Sequence, residues 1–249
     1  MGMTKIWAHR GASGYAPENT REAFALAAEQ KADGVELDVQ LTKDGQLVVI
    51  HDETIDRVSG QQGYVKDFTW EELKKCCVNR TIPGYREVFI PTLEEVYQLL
   101  AETNLTINVE LKTSLIWYPQ IEEKVLQLTK EMGLLDRVIL SSFNHYSIKR
   151  VKEIEPHIKT GILYSDVLYR PAEYCRRVGA DALHPIYLHR FMKPVWEEYC
   201  TAQIPLHIWT VNTEEEMEFF LCRDVDAIIT NYPDKARKIA EQIKKQKIQ

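Results

Sequence analysis

No apolar run in this 249-residue chain approaches the length of about 20 residues that a membrane-spanning helix needs. Stable membrane insertion is therefore not expected. Linker-like and low-complexity stretches are also missing, and so is any excess of basic residues. The 31 Lys and Arg against 37 Asp and Glu leave a formal charge of -6, which provides no overall field for nucleic acid or an anionic membrane. An anionic small-molecule substrate would depend on a local cation. The five cysteines, Cys76, Cys77, Cys175, Cys200 and Cys222, lack CxxC spacing, and their odd number cannot be fully paired within one chain. Reduced thiols in a cytoplasmic protein are expected. Met1 to Lys5 leads almost directly into the strand-like Ile6-Trp7-Ala8, with no space for the charged and apolar regions of a secretory leader.

With 45% apolar and 27% charged residues, the composition is that of a globular protein. Short β-rich runs alternate with segments of helical periodicity: Ile6 to His9, Thr20 to Gln30, Val35 to Val39, Leu93 to Ala101, Ile107 to Leu111 and Ile121 to Met132. Further strands are expected at Val138 to Phe143, Thr160 to Tyr164, Ala182 to Ile186, Leu206 to Val211 and Ala227 to Thr230. This is the rhythm of repeated βα units around a parallel sheet. It predicts an α/β chain folded as a TIM-type (β/α)8 barrel, one domain over residues 1–249. Leu47 to Ile50 is one strand too many for such a barrel. It follows Val35 to Thr42 across Lys43-Asp44-Gly45-Gln46, where Asp-Gly signals a hairpin. With Asp44 and Gly45 as the central turn residues, Thr42 pairs with Leu47 and Asp38 lies opposite His51. Residues 52–91, with Gly60, Gly63, Pro83 and Gly84 and one helical patch at Trp70 to Cys76, read as a short inserted segment after the second strand region.

Glu36 and Asp38 stand two apart on a strand and point to one face. Glu110 and Lys112 repeat the spacing at the end of another strand. Pairing of Glu110 with Lys112, and exposure of Glu36 and Asp38 on an edge, accounts for either pair equally well. Three carboxylates converging at strand ends would instead make an oxygen site for one divalent cation, Mg²⁺ or Ca²⁺. Zinc is disfavoured because no Cys/His cluster is evident. His9 closes the first strand beside Arg10-Gly11, offering an acid/base group and a phosphate clamp together. His51 reaches the same region through the hairpin.

These residues carry a resemblance. The ordered set His9-Arg10-Gly11, Pro17-Glu18-Asn19-Thr20, Glu36-Leu37-Asp38-Val39, Thr42-Lys43-Asp44-Gly45, His51-Asp52, Glu110-Leu111-Lys112, Trp209-Thr210-Val211-Asn212 and Ile228-Ile229-Thr230 resembles the glycerophosphodiester phosphodiesterase family. The resemblance implies a TIM barrel with His9 and His51 as acid/base pair and Glu36, Asp38 and Glu110 as metal ligands. It further implies that Arg10 and Lys112 hold phosphate, and it supports Trp209 as a wall of the glycerol pocket. Asn231 departs from the pattern, since an aspartate often follows the threonine; an Asn there can cap a helix starting near Pro233.

A phosphodiester resists anionic nucleophiles, so a cation with Arg10 and Lys112 would neutralise charge building up on its oxygens. One imidazole must take a proton while the other gives one, which predicts a bell-shaped pH profile. The attacking group is either the substrate's glycerol hydroxyl, through a cyclic phosphate, or water. The expected reaction converts a small-molecule glycerophosphodiester and water into glycerol 3-phosphate and an alcohol. Two alternatives stay open: lysophospholipase D-type cleavage of lysophospholipids, and a non-catalytic binding module on the same barrel. Ile116-Trp117-Tyr118, expected at the mouth, would contact a lipid-like leaving group or a second copy in a homo-oligomer, or simply pack over the helices. His145 and His184 sit near strand ends but are expected in ordinary loop or core roles.

Overall fold

Apolar residues that alternate along short strands, and recur every three or four positions between them, can bury both patterns only as a sheet wrapped in helices. The structure, a computed structural model, describes residues 3–223 and 225–248. Met1 and Gly2 of the leader reading lie outside that range. Eight parallel strands run in the ring order β1 (Lys5–His9), β2 (Gly34–Leu41), β4 (Thr106–Leu111), β5 (Val138–Ser142), β6 (Lys159–Tyr164), β7 (Ala182–Pro185), β8 (His207–Ile208) and β9 (Ala227–Thr230), which returns to β1. Single parallel bridges, Leu183 to Leu206 and Ile186 to Trp209, join β7 to β8 and close the TIM barrel. The remaining strand, β3 (Leu47–Val49), pairs antiparallel with β2 outside the ring.

Eight longer helices follow the strands: α1 (Arg21–Glu29), α4 (Leu93–Ala101), α5 (Ile121–Glu131), α6 (His145–Ile154), α7 (Pro171–Val178), α8 (Lys193–Thr201), α9 (Glu214–Leu221) and α10 (Pro233–Ile248). Helix α4 shows how local sequence places one. Thr92 and Glu95 form a reciprocal capping box at its start, while Leu93, Val96, Tyr97 and Leu100 make the buried stripe. That stripe packs on outward residues of β2 and β4 such as Val35, Leu37, Ile107 and Val109. By strand parity the residues between them, Glu36, Asp38, Asn108 and Glu110, face the barrel interior.

The inserted segment carries two short helices, α2 (Asp56–Ser59) and α3 (Trp70–Leu73), over a satellite core of Val48, Ile50, Ile55, Val58, Val65 and Leu73. The hairpin that precedes it differs from the expected register by one residue: Leu41 pairs with Leu47 and Val39 with Val49, so Ile50, not His51, lies opposite Asp38. The loop is longer than two residues because the Gly45 N–H closes a turn on the Thr42 carbonyl, and Gly45 then takes φ +80. The Thr42 hydroxyl, bonded to Asp44, also accepts from the Gln46 N–H. A tight turn followed by a left-handed glycine is the usual three-residue solution. The last strand before β9 is also shorter than Leu206 to Val211, its course outside His207–Ile208 being marked only by the single bridges of Leu206 and Trp209 to the β7 side and by the Val211 N–H bond to the Ile229 carbonyl.

Candidate active site

The chain leaves β1 at His9 through two residues of positive φ, Arg10 at 54 and Gly11 at 78. A Cβ on Gly11 would lie 2.6 Å from the Ala23 carbonyl carbon, so α1 can approach the strand end only over glycine. The turn aims the Arg10 N–H at Glu36 Oε2 (3.0 Å) and its guanidinium at Glu18 Oε1 (2.8 Å) and Asp38 Oδ2 (3.4 Å). Arg10 is thus anchored between two carboxylates at the mouth.

A cavity of about 140 Å³ opens at the C-terminal end of the strands. His9, Arg10, Glu36, His51, Asn108 and Glu110 form its polar wall, and Phe143, Leu163, Trp209 and Ile229 its apolar wall. The larger hollow of about 820 Å³ lies at the opposite end, beneath Trp7, Ile139 and His207, away from the strand ends where barrels carry chemistry.

Glu36, Asp38 and Glu110 each bring a carboxylate oxygen within 4.8 Å of the others, and all three are buried. Their protonation states are pushed apart. Burial, then Asp38 and Glu110, raise Glu36 well above the usual carboxylate range, and burial raises Glu110 against the pull of Lys112. Burial pushes Asp38 up as well, but the charges of His51, Arg10 and Lys112 and a hydrogen bond from Asn19 hold it below its ordinary value. Three adjacent carboxylates cannot all ionise unaided, and a cation among them removes the conflict. Asp38 Oδ1 is buried with no hydrogen-bond partner, which fits such an ion. An all-oxygen donor set suits Mg²⁺ or Ca²⁺. Lys112 Nζ stands 3.0 Å from Glu110 Oε1 and 3.8 Å from Asp38 Oδ1. The pairing of Glu110 with Lys112 and the carboxylate cluster therefore coexist.

His9 Nδ1 lies 2.7 Å from Asn231 Oδ1. An amide oxygen only accepts, so Nδ1 carries the proton and Nε2 is left with its lone pair, 3.9 Å from Glu36 Oε2. Burial and then the Arg10 charge push His9 down to about 3. Asn231 thus contacts His9 instead of capping α10, whose Ala236 N–H goes to the Tyr232 carbonyl. His51 arrives by a different device from the expected register. It follows the end of β3, and its backbone is gripped by buried Gln40 on β2. Its Nδ1 meets Asp52 Oδ1 at 2.6 Å, and this bond holds Asp52 below the usual carboxylate range. Arg57 on α2 joins Asp52 (2.7 Å) to Glu18 (2.6 Å), tying the inserted segment to the Arg10 turn.

All eight residues singled out from sequence, His9, Arg10, Glu36, Asp38, His51, Glu110, Lys112 and Trp209, gather at this mouth. Trp209 donates from Nε1 to the His184 carbonyl (2.7 Å) and meets Phe143 edge-on. His184 pairs with His207 inside the barrel, and His145 is satisfied by Tyr174 and the Leu163 carbonyl. The triplet Ile116-Trp117-Tyr118 divides: Ile116 packs on the core, Trp117 is exposed, and buried Tyr118 donates to Gln40. Sequence reasoning gave no site role to Glu18, Asn19, Gln40, Arg57 or Asn108. Strand parity with Glu36 and Glu110 was a usable signal for Gln40 and Asn108 alone.

The sequence profile described as the glycerophosphoryl diester phosphodiesterase family matches residues 9–235. The chain belongs to that family. A glycerophosphodiester phosphodiesterase of Caldanaerobacter subterraneus subsp. tengcongensis is 46% identical over 93% of this chain and 95% of its own. One from Bacillus altitudinis is 43% identical over 97% and 100%. Among solved structures of similar fold is an Oleispira antarctica phosphodiesterase in complex with the product sn-glycerol-3-phosphate. It has a TM-score of 0.84 and 26% identity, covering 96% of this chain and 97% of its own. In this family member the polar wall comes from the ends of β1, β2 and β4 with His51 beyond β3, and the apolar wall from β6 and β9 with Phe143 and Trp209 just past β5 and β8.

Proposed function

We propose that the enzyme hydrolyses glycerophosphodiesters to glycerol 3-phosphate and an alcohol, using His9 and His51 as its acid/base pair. Residues 1–249, inserted segment included, act as one domain in this reading. The observation that carries it is the opening of His9 and His51 into the same 140 Å³ cavity as Glu36 and Glu110. Glu36, Asp38 and Glu110 hold Mg²⁺ or Ca²⁺, which when bound supplies positive charge for the phosphoryl oxygens. Arg10 and Lys112 add fixed charge beside it. His9, with Nε2 unprotonated, takes the proton of the attacking oxygen, which is either water or the substrate's glycerol hydroxyl; in the second case water then opens the cyclic phosphate to glycerol 3-phosphate. His51, its Nδ1 held by Asp52, offers the opposite ring nitrogen to protonate the departing alkoxide. Trp209 and Phe143 form the wall against which the glycerol carbons lie.

The decisive experiment follows glycerol 3-phosphate release from glycerophosphocholine by metal-stripped protein, with Mg²⁺ or Ca²⁺ restored. Activity is expected to return with a cation and to be lost in His9→Ala and His51→Ala. Wild type that stays inactive on several diesters with either ion sinks the reading and favours a binding module. A lysophospholipase D activity is supported by one further observation. Exposed Leu115, Trp117, Tyr146, Tyr169, Phe191 and Met192 stand in the segments that follow β4, β5, β6 and β7. Exposed apolar side chains in those segments suit contact with an acyl chain. Turnover of lysophosphatidylcholine above that of glycerophosphocholine, reduced by Trp117→Ser, would decide for it.

A further inference from the structure

Four interior-facing side chains on β2 and β4 form a two-by-two patch, since the strand register sets Glu36 beside Asn108 and Asp38 beside Glu110. All four are buried, and Asn108 is only 1% exposed. Three of them are the converging carboxylates. The fourth lines the same cavity as Glu36 and Glu110, yet neither Oδ1 nor Nδ2 of Asn108 has a hydrogen-bond partner. Proteins seldom leave both polar atoms of a buried amide unmade. Asp38 Oδ1, also without a partner, belongs to the same patch.

We propose that Asn108 Oδ1 is a neutral fourth oxygen donor to the divalent cation held by Glu36, Asp38 and Glu110. The inference rests on the cation site of the proposed function. Ca²⁺ takes side-chain amide oxygens alongside carboxylates, and Mg²⁺ likewise completes its shell with neutral oxygens. A neutral donor at this position adds an oxygen without adding to the mutual repulsion of three neighbouring carboxylates. The amide thereby gains the partner that the protein does not supply.

Titration calorimetry with MgCl₂ and CaCl₂ on metal-free wild type and Asn108→Leu tests this without reference to activity. Leu is close in size and removes only the polar atoms. The expected result is cation affinity weaker by about tenfold or more, with the melting temperature of the metal-free variant equal to or above wild type. Asn108→Ala repeats the test should Leu not be accommodated, and Asn108→Asp, which keeps an oxygen, is expected to retain binding. Affinity of the Leu variant within about twofold of wild type overturns the inference while leaving the cation site standing. Weaker binding with a clearly lowered metal-free melting temperature in both the Leu and the Ala variants also overturns it, because Asn108 would then hold the fold. Wild type that binds neither ion removes both the cation site and the inference.

Discussion

Gln40 holds the backbone of His51: its Nε2 donates to the His51 carbonyl at 3.0 Å, with the Ile50 and Asp52 carbonyls at 3.1 and 2.7 Å on either side. The Tyr118 hydroxyl donates to Gln40 Oε1 at 2.8 Å and fixes the amide in that orientation. Since β3 ends at Val49, no sheet ladder carries His51 to the mouth. A buried amide on the neighbouring strand replaces it.

Replacing Gln40 with Leu leaves a cluster of carbonyls without their donor. A loss of about 2 kcal/mol in stability is expected, with kcat for diester hydrolysis falling by about tenfold to a hundredfold as His51 shifts and KM changing less. Tyr118→Phe, which removes one hydroxyl, should cost about 1 kcal/mol. Urea unfolding and steady-state kinetics check both. Wild-type kcat in Gln40→Leu would mean that Asp52 alone fixes the ring.

Arg57 separates position from stability. Its side chain is 43% exposed, and its less exposed partners keep other groups, Glu18 at 13% retaining Arg10 and Asp52 at 28% retaining His51, so Arg57→Met should change stability by about 1 kcal/mol. It nevertheless frees Asp52 from Glu18, and kcat is expected to fall by about tenfold, with partial recovery in Arg57→Lys. Because one ion-pair chain links them, Glu18→Gln and Arg57→Met combined should be little worse than either alone. Fully additive losses in the double variant would contradict the chain.

Periodicity made the barrel legible. The run Gly34–Leu41 is buried at every position and reads as a two-sided strand, and its parity alone puts Glu36 and Asp38 on one face. The hairpin was visible in Asp44-Gly45, but its register depended on the Thr42 side chain and the left-handed Gly45, which lengthen the loop by one residue. Arg57 and Glu18 lie 39 positions apart, on segments without repeating pattern, and only folding brings them together. Gln40 and Asn108 share the parity of the carboxylates, yet a lone amide within an apolar strand carries no sign of whether its partner is backbone, ion or water.

The barrel interior makes stability depend on pH. His207 Nδ1 and His184 Nε2 are 2.7 Å apart and both rings are buried; burial pushes His207 down to about 3, and burial with the neighbouring ring takes His184 well below its ordinary value. Both stay neutral in the folded chain, while the unfolded chain binds protons below about pH 6.5. Their contribution is therefore complete above that pH and declines as pH falls, by about 1.4 kcal/mol per pH unit for each ring. His207→Gln should show a shallower loss of unfolding free energy between pH 6.5 and 5 than wild type. Parallel curves would place the acid sensitivity elsewhere, for example at His9.

The amide oxygen of Asn231 is the partner of His9 Nδ1 at 2.7 Å. A neutral amide orients the ring but gives a protonated imidazole far less support than a carboxylate does. Burial and Arg10 already depress His9 to about 3, and Asn231→Asp opposes both by placing negative charge against Nδ1. The sign is fixed: the variant raises the His9 pKa, so the protonated ring persists to higher pH. If His9 acts as the base, the acidic limb of the kcat/KM profile moves upward and activity at pH 5 falls relative to pH 8. The opposite displacement, with activity at pH 5 spared and the alkaline limb extended, would make His9 the proton donor and leave abstraction to His51. An unchanged profile would show that His9 does not set either limb.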